Sequence, residues 1–360
     1  MEKPNLVRDQ VSLEEISMEK PRKLGLNQVH PDPTDIEETS KKRVIVVAIH
    51  GMDTQSPKTW IAYEKDGDPE SGEVNWLKDK NMLPSVLPDC RILTYDWNAN
   101  IDKGAATQSL RGHATTLLDK LHIDRDESGK SLPILFIASC FGGLLLAEAL
   151  LLASDPFQNY QDIYHSTIGA IFLGTPFRGT HDGFFTAAEL RVAVAIASGA
   201  ETAKGLVAFL KSEPDERRYL DQLVERFYDM INNKKLGIPV VFFYETRETD
   251  FTKVIKKLPS KFVKTLDGKK RGILVPKNSA CLWGHEHHEL SVRHTMLCKF
   301  SGPEDVSFKT VCYSLKRLLV EGEKRRQERA FNGLRQQLAA VFRGNFKIAI
   351  TAGLGFDPQG

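Results

Sequence analysis

The chain has 360 residues, 41% of them hydrophobic, enough for one large α/β domain with appendages or two modest domains. A formal net charge of +2 argues against a general nucleic-acid binder, and no run of about 18 apolar residues offers a membrane span. Five cysteines in no regular framework, behind a polar N-terminus without the apolar core of a signal peptide, point to free thiols in a reducing, cytoplasmic setting.

Residues 1–42 are charged and carry Pro31-Asp-Pro33, so a flexible or loosely docked arm is expected. Val44 to Ile49 is a continuous, mostly β-branched run, the pattern of a strand buried on both faces of a parallel sheet. It ends in His50-Gly51-Met52, where a glycine allows close backbone approach to a ligand. Gly72 to Leu87 reads as a helix and a turn, and Cys90 to Tyr95 as the next strand. Leu110, Ala114, Leu117, Leu118 and Leu121 share one face of an amphipathic helix over Thr107 to Leu121.

Ile134 to Ala138 is a buried strand and Leu144 to Leu152 a helix, with Ala138-Ser-Cys-Phe-Gly-Gly143 between them. This is the small-x-nucleophile-x-Gly form of a strand–turn–helix elbow. The turn crowds the positions two before and two after its apex. Ala138 and Gly142 fit around Cys140, whereas centring on Ser139 would put Ile137 and Phe141 in the crowded places. The following helix turns its N-terminal dipole toward Cys140, which favours a thiolate.

Thr167 to Leu173 is a further strand, closed by Gly174-Thr-Pro-Phe-Arg-Gly-Thr180. The alternation of strands and helices predicts an α/β fold with a mostly parallel sheet covered on both faces. Residues 181–236 interrupt that alternation and are expected to form a helical cap, with a long charged helix near Tyr219 to Ile231. Ile238 to Tyr244 and Gly272 to Val275 resume the strands. Ser307 to Phe342 is helical by period, with Phe308, Val311, Cys312, Leu315, Leu318 and Leu319 on one stripe.

An elbow nucleophile needs a base, an orienting acid and two amide donors. The base is expected after the last strand, which favours His294 over His285, His287 and His288. The acid is expected after the penultimate strand, which favours Glu245 over Glu248 and Asp250. The order nucleophile, acid, base is the one such enzymes use. The oxyanion donors would be the amide of Phe141 and that of Met52 or Gly51. His50, Ser139 and Phe177 are read as substrate-contacting positions. A competing reading gathers Cys281, His285, His294 and Cys298 as tetrahedral zinc ligands, although no short Cys-x2-Cys knuckle is present. The favoured reading needs no cofactor.

Ile49-His-Gly-Met52, Asn75-Trp-Leu77, Phe136-Ile-Ala-Ser-Cys-Phe-Gly-Gly143, Phe172-Leu-Gly-Thr-Pro-Phe-Arg-Gly-Thr180, Phe243-Tyr-Glu-Thr246, Leu274-Val-Pro276 and His294 occur in order. Together they resemble the lipase-like α/β-hydrolase domain of serine-active-site-containing proteins. They are also similar to the N-terminal hydrolase-like domains of fungal NOD-like receptor proteins. The resemblance covers roughly residues 43–320, with the arm before it and a helical extension at 321–360. It implies an α/β-hydrolase fold acting on esters or lipids, with serine at the position of Cys140 and glycine and histidine at those of Ala138 and Ser139. This chain differs at all three.

Two functions are therefore expected. One is an acyl hydrolase or acyltransferase using Cys140, His294 and Glu245 on a lipophilic acyl substrate, with peripheral membrane contact left open. The other is a catalytically silent hydrolase fold serving in signalling or assembly.

Overall fold

The computed structural model describes residues 23–65, 68–101, 105–128, 131–181, 185, 188, 202–211, 218–233, 237–250 and 271–328. The apolar runs form the middle of the sheet. Every residue of β2 (Val44–Ile49), β6 (Ile134–Ser139) and β7 (Thr167–Leu173) is buried. That is the burial expected of parallel strands covered on both faces. Seven strands lie in the order β1 (Gly25–His30), β5 (Cys90–Asp96), β2, β6, β7, β8 (Val240–Glu245), β11 (Glu286–Leu290). Only β1 runs antiparallel to its neighbour.

From β2 the chain moves to β5 on one side and then to β6 on the other. The carboxyl ends of β2 and β6 thus flank the switch point, where open α/β sheets leave a crevice for ligands. Both His50-Gly51 and Cys140 leave their strands there.

Each face of the sheet carries its own core. One is covered by α3 (Leu110–Ser128), α4 (Gly142–Ser154), α6 (Lys204–Ala208) and α7 (Arg218–Ile231). The five residues expected to share the inner face of α3 are all buried. The other face is covered by α2 (Leu83–Val86) and α9 (306–328), and its core includes Trp60 and Trp76. Phe308, Val311, Cys312, Leu315 and Leu318 of α9 are buried and Leu319 partly so, as the helical stripe predicts. Short helices α1 (Ile36–Lys41), α5 (Gln161–Ser166) and α8 (Lys277–Ala280) fill connections.

Three expectations give way. Within the expected arm, residues 25–41 form β1 and α1, and β1 pairs along β5. Its Leu-Asn-Gln-Val-His sequence is too polar to stand out, because an edge strand is only half-buried. Gly72 to Leu87 is not a helix and a turn throughout. Asp68–Asn75 is β4, hydrogen-bonded to β3 (Ile61–Lys65) as a separate hairpin, and the helix shrinks to α2. The apolar run Gly272 to Val275 is not the last sheet strand. Only Arg271–Gly272 (β10) is extended, and it pairs with Thr249–Asp250 (β9). The last sheet strand is β11, Glu-His-His-Glu-Leu, from a stretch that reads as hydrophilic loop. Its first four side chains alternate between partly buried and exposed and only Leu290 is buried, so its burial leaves little apolar signal. Of the expected cap, 181, 185, 188, 202–211 and 218–233 are described. Residues 1–22 of the arm and 329–360 of the extension lie outside the described residues.

Candidate active site

Cys140 occupies the apex of the turn between β6 and α4 with φ of +52°, in the left-handed region that non-glycine residues rarely adopt. The strain is held by its surroundings. Its N–H donates to Leu173 O at 2.8 Å, and its carbonyl accepts from Gly143 N at 3.0 Å. A Cβ on Gly142 would overlap the carbonyl oxygen of His50 and come 2.7 Å from that of Ile49. A Cβ on Gly143 would overlap the Thr175 side chain. Small residues are therefore required where the turn passes under β2. Strand alternation sends Ser139 the other way, where its hydroxyl meets the Cys298 thiol.

His294 begins a 3-10 turn four residues beyond the end of β11. Its ring Nδ1 donates to Glu245, lying 3.2 Å from both carboxylate oxygens. The Cys140 side chain lies beside the ring and favours its charged form. The His294 backbone N–H donates to Thr249 Oγ1 at 3.2 Å. Glu245 is the last residue of β8, 2% exposed, and its Oε1 takes the Val275 N–H at 2.7 Å. Gly174, with φ of +63°, makes room for this pair, since a Cβ there would lie 2.8 Å from His294 Cε1. Burial works against a charged His294. The Glu245 carboxylate and Cys140 outweigh it, holding the imidazole well above its ordinary value of 6.5.

The structure thus brings Cys140, His294 and Glu245 into one chain of contacts. Asp250 is turned to solvent 3.6 Å from Arg271, and Glu248 is exposed. His287 is exposed as well, and His288 lies 2.8 Å from Glu286.

The loop after β2 abuts the elbow. A Cβ on Gly51 would lie 2.7 Å from Cys140 Cβ and 3.3 Å from its sulfur. The His50 ring is fully buried; Nδ1 donates to Gly51 O at 2.9 Å, and Nε2 lies 3.3 Å from Asp96 Oδ1. In a trans peptide the C=O and N–H point oppositely, so anchoring the Gly51 carbonyl turns the Met52 N–H away from the His50 ring. The Phe141 amide takes no part in the bonds that hold the elbow. Its ring stacks between Trp97 (5.9 Å) and Phe209 (6.3 Å), and Phe209 stacks on Tyr219 (5.5 Å). Aromatic rings from the cap stretch therefore reach the residue after Cys140.

All three expected substrate contacts are corrected, Ser139 being buried beside Cys298 on the side away from the elbow. His50 is fully buried in the loop behind Gly51, and Phe177 is fully buried against Phe172, Phe227 and Phe242. Both side chains are packed inside and serve as scaffold. The zinc reading also fails on geometry. Cys281 packs against the core on one face of the sheet, while Cys298 is buried in the core on the other. His294 is engaged by Glu245, and His285 packs edge-on to Tyr228 and Phe242. Among the described residues no cluster gathers three such ligands. The Asp96–His50 pair escaped the sequence reading. Its only signal there was a histidine and an aspartate at the ends of neighbouring strands.

No family model matches the chain, and no curated protein matches its sequence. Solved structures are similar at low identity. The mature lipase BlEst2 of Bacillus licheniformis shares 17% identity over 76% of this chain and 92% of its own, with a TM-score of 0.44. Esterase B of Lactobacillus rhamnosis shares 12% over 81% of each chain, at 0.40. The carboxylesterase CesB of Bacillus subtilis shares 12% over 83% of this chain and 88% of its own, at 0.37. At these scores the likeness carries no chemistry across. By its own strand order, its covered sheet and the sharp turn at Cys140, the chain has the α/β-hydrolase fold.

Proposed function

We propose that the protein is an acyl hydrolase or acyltransferase acting through a cysteine nucleophile on a lipophilic ester or thioester. The observation that carries this reading is the contact chain from the strained Cys140 through His294 to buried Glu245. In the proposed cycle His294 accepts the thiol proton and the Cys140 sulfur attacks the acyl carbonyl carbon. The amides of Phe141 and Met52 hold the resulting oxyanion. Collapse breaks the bond to the alcohol or thiol, which leaves with the proton from His294. The acyl-enzyme thioester is then cleaved by water, or by an acceptor nucleophile, deprotonated by His294. Glu245 keeps the imidazole oriented and stabilises its charged form.

A kinship with the hydrolase-like domains of fungal NOD-like receptors rests on the ordered motifs alone, and cytoplasmic residence on the free thiols of all five cysteines. The second reading, a silent fold used in signalling or assembly, is favoured by the residues at 138–140, which replace the family's glycine, histidine and serine.

A panel of p-nitrophenyl esters and acyl thioesters of graded chain length separates the two. The catalytic reading expects turnover that Cys140→Ala and His294→Ala each abolish. No turnover, or turnover surviving both substitutions, would overturn it.

A further inference from the structure

Away from Cys140, a cleft of about 920 Å³ opens between the β1–β5 edge of the sheet and the β3–β4 hairpin. This is within the size of small-molecule sites. None of Cys140, His294 and Glu245 lines it.

Its walls are polar in a particular way. Four amide side chains, Asn27, Gln55, Asn75 and Asn100, line it, with Thr94 on the sheet. Amide and hydroxyl groups both donate and accept hydrogen bonds, as ligand hydroxyls do. Two cations, Lys23 and Lys78, stand with three carboxylates, Glu73, Asp79 and Asp96, so the lining is close to charge balance. Neither a strongly anionic nor a strongly cationic ligand is selected.

One buried acceptor calls for a donor, and a carboxylate stands beside it. Asn27 Oδ1 is buried and has no hydrogen-bond partner among the described residues, although its Nδ2 donates to Lys23 O and Gly25 O. A buried acceptor left without a donor carries its full desolvation cost. Asp96 is 5% exposed. Its Oδ1 accepts from Ser56 N at 2.9 Å and faces His50, and its other oxygen takes part in neither contact.

We propose that this cleft binds a neutral polyhydroxylated molecule of the sugar or polyol class. Ligand hydroxyls donate to Asn27 Oδ1 and Asp96 and exchange hydrogen bonds with the amides of Gln55 and Asn75. The cleft lies apart from Cys140, His294 and Glu245, although its Asp96 also faces His50.

The test is saturation-transfer NMR on the full chain with methyl glucoside and myo-inositol as probes. Transfer to at least one probe is expected with wild type and with Cys140→Ala. It should be lost in Asn27→Leu and in Gln55→Leu. Gln55 is a half-buried loop residue, so its substitution tests the cleft even if Asn27→Leu does not fold. No transfer from wild type to either probe overturns the proposal. So does transfer that persists in Gln55→Leu, because the ligand then lies elsewhere. Since no turnover is read, failure here is distinct from failure of the proposed catalysis.

Discussion

At the scale of single residues, the candidate site depends on atoms that are missing. Gly51, Gly142 and Gly174 each stand where a Cβ would strike Cys140, the β2 backbone or His294. Gly174→Ala adds both a clash and a left-handed strain. It is expected to destabilise the fold by about 1–3 kcal/mol by overpacking and to displace His294. Urea denaturation reads the first effect, and a slower alkylation of Cys140 the second. His294 also sets a pH dependence. Its pKa is raised in the folded state, so the folded protein holds that proton more tightly than the unfolded chain, where histidine titrates near 6.5. The stabilisation is complete below about pH 6.5 and is lost as pH rises through the raised value. The melting-temperature gap between wild type and His294→Gln should therefore narrow from pH 6 toward alkaline pH. A gap that widens would contradict the assignment.

Cys140, Glu245 and His294 are legible as residues because each chemistry-bearing type falls at or shortly beyond the end of a strand. The small residues around Cys140 identified the apex of the turn. The Asp96–His50 pair was not legible, because joining the ends of β5 and β2 requires knowing that those strands are neighbours.

Among the elements, the buried interior was readable and the edges were not. β2, β6 and β7 are apolar on both faces, so composition alone marks them. β1 and β11 each have one neighbour and carry Asn, Gln, His and Glu, so they read as arm and loop. The spacing that favours His294 is therefore counted from the wrong strand. The strand before His294 is β11, not the apolar run at Gly272 to Val275. The helix α7 was legible by period, and Leu220, Leu223, Phe227 and Ile231 are buried. Phe227 joins it to the sheet, stacking 6.0 Å from Phe177 and edge-on to Phe172 at 5.6 Å. Phe227→Ala should cost about 3–5 kcal/mol in a urea melt, the range for truncating a buried aromatic. A loss below about 1 kcal/mol would mean that α7 is not held by this cluster.

For the whole molecule, two cores on opposite faces fix one sheet, and the sheet fixes the site. α9 belongs to this body, with Phe308 edge-on to Trp76 and Leu318 close against Gly169 of β7, so the folded unit runs past residue 320 at one end and begins before residue 43 at the other. Nothing in this packing selects a thiol over a hydroxyl at residue 140. The central claim is that His294 activates Cys140, and the most direct measurement is site-resolved alkylation by iodoacetamide at neutral pH. Cys281 is the internal reference, half-buried like Cys140 but with its thiol pushed up to about 12 by burial. Cys140 is predicted to react faster than Cys281, and its own rate to fall severalfold in His294→Ala while that of Cys281 stays unchanged. Equal rates at the two cysteines, or an advantage untouched by His294→Ala, would contradict the account.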